Sequence, residues 1–122
     1  MQESQLLIDG EWVPGDGGTQ INPDPYSGEA IARVSLAGPR QAEEAVQAAR
    51  AAFPTYRHIP AHRRSDMLLT AARLIGERAE QLARTITEEN GKPIRSARME
   101  VNRAATTFRL VAMEAGRMTG ET

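Results

Sequence analysis

Cysteine is absent from all 122 residues. That excludes disulfides, thiolate metal ligands, redox motifs and a thiol nucleophile from any chemistry the chain performs alone. Aromatic residues are scarce at 4%, and the 40% hydrophobic content leans on alanine. Because fully burying a Leu, Val or Phe stabilises by roughly 1.5–3 kcal/mol and an Ala by far less, the helices must have thin apolar faces. No charge sign dominates: 15 Lys and Arg oppose 16 Asp and Glu, leaving −1, which argues against nucleic acid or an anionic membrane as partner. No apolar run approaches the ~18 residues of a membrane span, and the opening MQESQLL lacks the basic head and apolar stretch of a secretory signal. The cytoplasm is the expected compartment.

What is present divides into strands and turns over residues 1–37 and helices over 38–122. Leu6, Leu7 and Ile8 are separated from Glu11, Trp12 and Val13 by Asp9-Gly10, a pair that tolerates the two positive φ values of a type I′ hairpin turn. Gly15-Asp16-Gly17-Gly18 breaks the pattern, Asn22-Pro23-Asp24-Pro25-Tyr26-Ser27-Gly28 forms a turn, and residues 30–36 read as a short strand around Ile31 and Val34. After Gly38-Pro39, Ala42, Ala45, Val46, Ala49, Ala52 and Phe53 recur at helical spacing, with Pro54 as the expected stop. Pro60 opens a second helix whose expected buried face is Met67, Leu68, Ala71, Leu74 and Ile75. Gly76 predicts a bend or a division before Ala79, Leu82, Ala83 and Ile86. Gly91 suits a left-handed cap. A last helix carries an expected seam of Ala97, Val101, Ala104, Phe108, Val111, Ala115 and Met118, ending at Gly120.

None of these segments assembles a catalytic set. The glycine-rich stretch at 15–18 is followed by turns rather than the helix a phosphate cradle needs, so an ordinary loop is expected. His58 and His62 are four apart but straddle Pro60, which favours solvated or capping histidines over metal ligands. Glu43-Glu44 and Glu88-Glu89 are adjacent pairs, not carboxylates facing each other across a substrate. Arg95, Arg98, Arg103, Arg109 and Arg117 follow on the last helix. Most should line its wet face, whereas Arg103 flanks the Ala104 seam and can present a guanidinium fork to a carboxylate or phosphate.

The order of these segments resembles the amino-terminal part of the NAD(P)-dependent aldehyde dehydrogenase superfamily. The resemblance rests on Ile8-Asp9-Gly10-Glu11-Trp12-Val13, the turn from Asn22 to Gly28 leading into Ile31-Ala32, and the helix ending at Ala52-Phe53. Arg63, Leu68-Leu69, Leu82-Ala83, the EENGKP stretch at 88–93, Ala97 and Glu100-Val101 extend it. It covers nearly the whole chain. Tyr56 replaces a common Trp, and the NPDPYSG turn is longer than the family's usual form.

The resemblance implies an α/β parent with a Rossmann-like cofactor domain, of which this mostly helical piece with N-terminal β-hairpin strands is the first part. It also implies an amino-terminal fragment: the family's nucleophilic cysteine, glutamate base and dinucleotide-binding units would all lie beyond it. The complete enzyme would use NAD or NADP and an aldehyde substrate as a homo-oligomer. The piece alone would neither turn over aldehydes nor bind the dinucleotide tightly. The look is nearest the branch of lactaldehyde, phosphonoacetaldehyde and non-phosphorylating glyceraldehyde-3-phosphate dehydrogenases, in which an arginine at the position of Arg103 can face the access tunnel and meet the anionic end of the aldehyde. The alternatives are a non-catalytic helical interaction module and a short regulatory paralogue that joins a full-length enzyme's oligomer.

Overall fold

The computed structural model describes residues 2–117, which fall into two compact units, the first running to His58 and the second beginning at Ile59. In the first unit, β1 (Gln2–Ser4), β2 (Leu6–Ile8), β3 (Glu11–Val13), β4 (Thr19–Pro23) and β5 (Ala30–Ser35) precede α1 (Pro39–Tyr56). The hairpin β2–β3 forms as the Asp-Gly pair predicts. Leu6 lies opposite Val13 and Ile8 opposite Glu11, with φ of 52° at Asp9 and 82° at Gly10.

A separate three-stranded sheet has the order β1-β5-β4, with β1 parallel and β4 antiparallel to the central β5. The predicted turn closes β4 onto β5: the Asp24 carboxylate accepts the Tyr26 and Ser27 N–H groups at 2.7 and 3.1 Å. β1 and β4 are additions to the sequence reading. Each is too polar to alternate, and Pro23, having no N–H, fits β4 only because the register slips between Asn22 and Pro23.

Pro54 does not stop α1, which continues to Tyr56. Proline's φ is already helical, so it removes one N–H donor while Arg57 N–H still reaches the Phe53 carbonyl at 2.9 Å. The predicted apolar face of α1 is uncovered: Val46 and Phe53 are both at least half exposed, and the helix's one buried side chain is Gln41.

The second unit contains α2 (Ala61–Glu77), α3 (Ala79–Asn90) and α4 (Ile94–Ala115). The division expected near Gly76 falls at Arg78, whose N–H closes α2 on the Leu74 carbonyl and whose carbonyl accepts the Leu82 N–H to open α3. Gly91 caps α3 in the left-handed region, at φ 71°. Along α4 the buried residues are Ala97, Val101, Ala105 and Ala112. This corrects the predicted seam: Phe108 and Val111 are partly or largely exposed, as is Met67 on α2, where Ala72 is buried instead. Small residues win these positions because α2 lies directly along α4, with Ser65 Oγ donating to the Ala112 carbonyl at 2.8 Å. Met118 and Gly120 lie outside the described residues.

Ala83, Ala97 and Val101 form the α3–α4 core, with Ile75, Ala79, Ile86 and Ile94 against it. At its edge Arg98 grips Glu80 through two hydrogen bonds of 2.9 Å. Those bonds hold the Glu80 carboxyl below its ordinary range. A depressed folded-state value means that this contribution to stability is present above the unfolded value and fades as pH falls through the folded one.

Among the described residues one buried side-chain oxygen lacks a partner, the Thr87 hydroxyl on α3. Thr87→Val keeps the shape and removes the unpaired group. It should leave the melting temperature unchanged or raise it, by up to about 1 kcal/mol in stability, as read by thermal denaturation. A loss beyond that would mean the hydroxyl is bonded.

No helix among the described residues is long and apolar enough to cross a membrane. Several large apolar side chains stay exposed, among them Trp12 and Phe53 in the first unit and Met99, Leu110 and Met113 in the second.

Candidate functional site

The loop at 14–18 is built as a latch on α1. Gly17 N–H bonds the Leu36 carbonyl, and Leu36 N–H bonds that of Gly18, both at 2.9 Å. Asp16 accepts the Gly38 N–H at 2.7 Å and pairs with Arg40 at 2.8 Å. The Gln41 amide spans the loop, its oxygen taking Asp16 N–H and its nitrogen donating to the Pro14 carbonyl, both at 2.8 Å. The N–H groups of Asp16 and Gly17 are therefore committed to protein acceptors, and the segment does not fit the phosphates of a dinucleotide.

The other sequence candidates are dispersed. His58 follows α1 and His62 lies in the first turn of α2, both exposed. Among the described residues no group of three His, Cys, Asp or Glu could hold a metal ion. Glu43 is engaged by Gln47 and Glu44 by Arg40, and Glu88 and Glu89 are exposed at the end of α3.

The arginines of the last helix separate by their partners. Arg98 is held by Glu80, and Arg117 lies 3.1 Å from Glu114. Arg103 is exposed on α4, and among the described residues no carboxylate lies within ion-pair distance of it. Arg95 and Arg109 are likewise exposed and unpaired, but Arg103 has distinctive neighbours. Met99, Arg103, Thr106, Leu110 and Met113 recur at steps of four and three, so they share one face of α4. Met99, Leu110 and Met113 are 59%, 56% and 64% exposed. Thr106 turns its hydroxyl back to the Asn102 carbonyl and Thr107 does the same to that of Arg103, each at 3.0 Å. Arg103 is thus a lone cation on an exposed stripe whose other members are apolar or have their hydroxyl bonded inward.

One pair near it was not legible in the sequence. Lys92, just after the Gly91 cap, bonds the Glu100 carboxylate on α4, and Glu100 precedes Arg103 by three residues. The hydrogen bond from Lys92 and then its charge hold the Glu100 carboxyl below the usual carboxylate range, with a smaller contribution from Arg103. Glu100 also borders a hollow of about 280 Å³ lined by Ile75, Leu82, Ile86, Val101 and Ala104. A separation of eight residues across a turn matches no local pairing rule, so nothing in the sequence flagged the contact.

The model of the aldehyde dehydrogenase family matches residues 12–122. Malonate-semialdehyde dehydrogenase 2 of Shouchella clausii (strain KSM-K16) is 38% identical over 115 residues, covering 93% of this chain and 24% of that protein. PnpE, in a crystal structure with nicotinamide adenine dinucleotide, superposes with a TM-score of 0.93 at 36% identity, over 99% of this chain and 25% of that one. A 3,6-anhydro-L-galactose dehydrogenase in complex with NAP gives 0.92 at 27% identity, over 98% and 25%. The chain spans about a quarter of the length of the relatives it matches.

Proposed function

Because the chain belongs to the aldehyde dehydrogenase family, we propose that it is the amino-terminal part of an NAD(P)-dependent enzyme that oxidises a small anionic aldehyde to the carboxylic acid. One observation carries the substrate class: among the described residues Arg103 pairs with no carboxylate, on an exposed stripe of α4 shared with Met99, Leu110, Met113 and the inward-bonded Thr106. A cation in such a setting gains most from a carboxylate or phosphate that it can grip with two N–H donors. Malonate semialdehyde, which the S. clausii relative is named for, offers a carboxylate. Phosphonoacetaldehyde and glyceraldehyde 3-phosphate, substrates of the branch the sequence resembles, offer a phosphonate and a phosphate.

The chain holds no cysteine, so thiolate attack on the carbonyl and hydrolysis of the resulting thioester belong to residues outside it. No residue here is assigned to the dinucleotide. This part supplies a wall that orients the substrate's anionic end. Its uncovered α1 and α4 faces pack against the rest of the enzyme.

The test compares initial rates of NAD(P)H formation by the complete enzyme on malonate semialdehyde and on propanal, a neutral aldehyde of equal chain length. Arg103→Gln should raise KM for the acid by about 10- to 100-fold, the worth of a hydrogen bond to a charged group, and leave propanal unaffected. Equal effects on both aldehydes, or none, would overturn the substrate class. The 122-residue chain alone should give no aldehyde-dependent NAD(P)H, and turnover by it would refute the placement of the reactive groups elsewhere.

A further inference from the structure

Glu100 poses a problem for Arg103. The two are three apart on α4 with the acid nearer the N-terminus, an arrangement in which a free carboxylate pairs with the arginine along the helix surface. An arginine so paired would be neutralised and turned away from any external anion. In the structure that pair is not made, because the Glu100 carboxylate is taken by Lys92 from the loop between α3 and α4. Among the described residues the cations that act on the Glu100 carboxyl are Lys92 and Arg103, and the hollow it borders is otherwise lined by Ile75, Leu82, Ile86, Val101 and Ala104. Its carboxylate therefore has two candidate partners, Lys92 and Arg103.

We propose that Lys92 is a positioning residue for anion recognition: by occupying Glu100 it leaves Arg103 free to receive the substrate's carboxylate. The inference rests on the reading of Arg103 given above. Lys92 touches neither the substrate nor the reacting atoms and acts through Glu100. The geometry accounts for a lysine immediately after the Gly91 cap, where Lys92 is 33% and Glu100 42% exposed. Both are accessible enough to exchange partners and near enough to prefer each other.

Two measurements test it separately from the substrate assignment. In the 122-residue chain, the Glu100 carboxyl is titrated by carbon-detected NMR in the parent, in Lys92→Met and in Lys92→Met/Arg103→Gln. In Lys92→Met the carboxyl should stay below the ordinary range, because Arg103 takes over, and the second substitution should return it there. If Lys92→Met alone returns it to the ordinary range, Arg103 is not recruited and the proposal fails.

In the complete enzyme, Lys92→Met should raise KM for malonate semialdehyde by about three- to five-fold, the scale of an exposed ion pair, leaving kcat and propanal unchanged. Lys92→Arg should retain the parent value, and Glu100→Gln added to Lys92→Met should restore it. A merely structural lysine would impair both aldehydes alike, without rescue by Glu100→Gln, and that pattern would overturn the proposal. If Arg103→Gln leaves acid and neutral aldehydes undiscriminated, the substrate class falls while the titration still decides the competition for Glu100.

Discussion

Gly15→Ala should undo the junction between the loop at 14–18 and α1. A methyl group built on Gly15 would lie 2.2 Å from the Leu36 carbonyl oxygen and 2.8 Å from the Leu36 nitrogen and carbonyl carbon. All three are backbone atoms that cannot swing aside as a flexible side chain would. The loop must retreat, and with it go the Asp16–Gly38 bond and both bonds of the Gln41 amide. Gln41 is almost fully buried, so an amide stripped of partners there costs the desolvation of its polar groups as well as the lost bonds. Steric displacement and an unsatisfied buried amide together should cost about 2–4 kcal/mol. Thermal denaturation followed by circular dichroism would read the loss. Hydrogen exchange should show the Asp16 and Gly38 amides losing protection before those of α4. The contrasting substitution is Gly76→Ala, a helical position where an added methyl meets nothing within 4 Å. It should stabilise by about 0.5–1 kcal/mol. If Gly15→Ala melts within a degree or two of the parent, the loop does not approach Leu36 as closely as the structure places it.

That latch marks where sequence reading stops. Asp9-Gly10, Gly28 and Gly91 were legible because each turn or cap needs a residue that accepts positive φ, a local demand written in local sequence. The helices were legible through their spacing, and the break near Gly76 through composition. What Gly15 and Gly17 are for was not legible, since the atoms that forbid a side chain there belong to residues about twenty positions away. β4 was missed for a related reason: Thr19–Pro23 has one large apolar residue and becomes a strand by pairing with β5. On α4 the spacing marked a broad apolar sector, but whether Ala104 or Ala105 faces α2 depends on how closely the helices approach. Spacing alone cannot encode that distance.

The same limit applies at the site. Arg103 could be singled out because it adjoins an apolar seam, yet its surroundings came from the structure. The stripe of Met99, Leu110 and Met113 lies opposite the predicted seam, so α4 has apolar residues on two sides and only one is covered by α2 and α3. A helix apolar on both sides belongs between two layers. Under the proposal that the chain is the amino-terminal part of a longer enzyme, the remainder of that enzyme is the second layer.

The covered side of α4 should be the intolerant one. Ala97 is fully buried and packs with Ala83, also fully buried, and Val101. Ala97→Leu would place three more carbons between α3 and α4, where the existing contact is methyl against methyl. The helices can accept them only by separating, which strips Ile86 and Ile94 of their contacts and pulls at the Glu80–Arg98 bonds that span the same two helices. Overpacking of this kind costs about 1–3 kcal/mol. A unit of some sixty residues has only about 3–9 kcal/mol of stability in total. The melting temperature should therefore fall by about 10–20 °C. Met113→Ala, on the uncovered side of the same helix, removes as many heavy atoms as Ala97→Leu adds, yet it should shift stability by less than about 0.5 kcal/mol in the isolated chain because Met113 is 64% exposed. In the complete enzyme the contrast should narrow, with Met113→Ala becoming costly once the outer stripe is buried. If Met113→Ala is equally harmless in both settings, the outer face of α4 is not an interior surface of the enzyme, and the two-layer account of this helix is wrong.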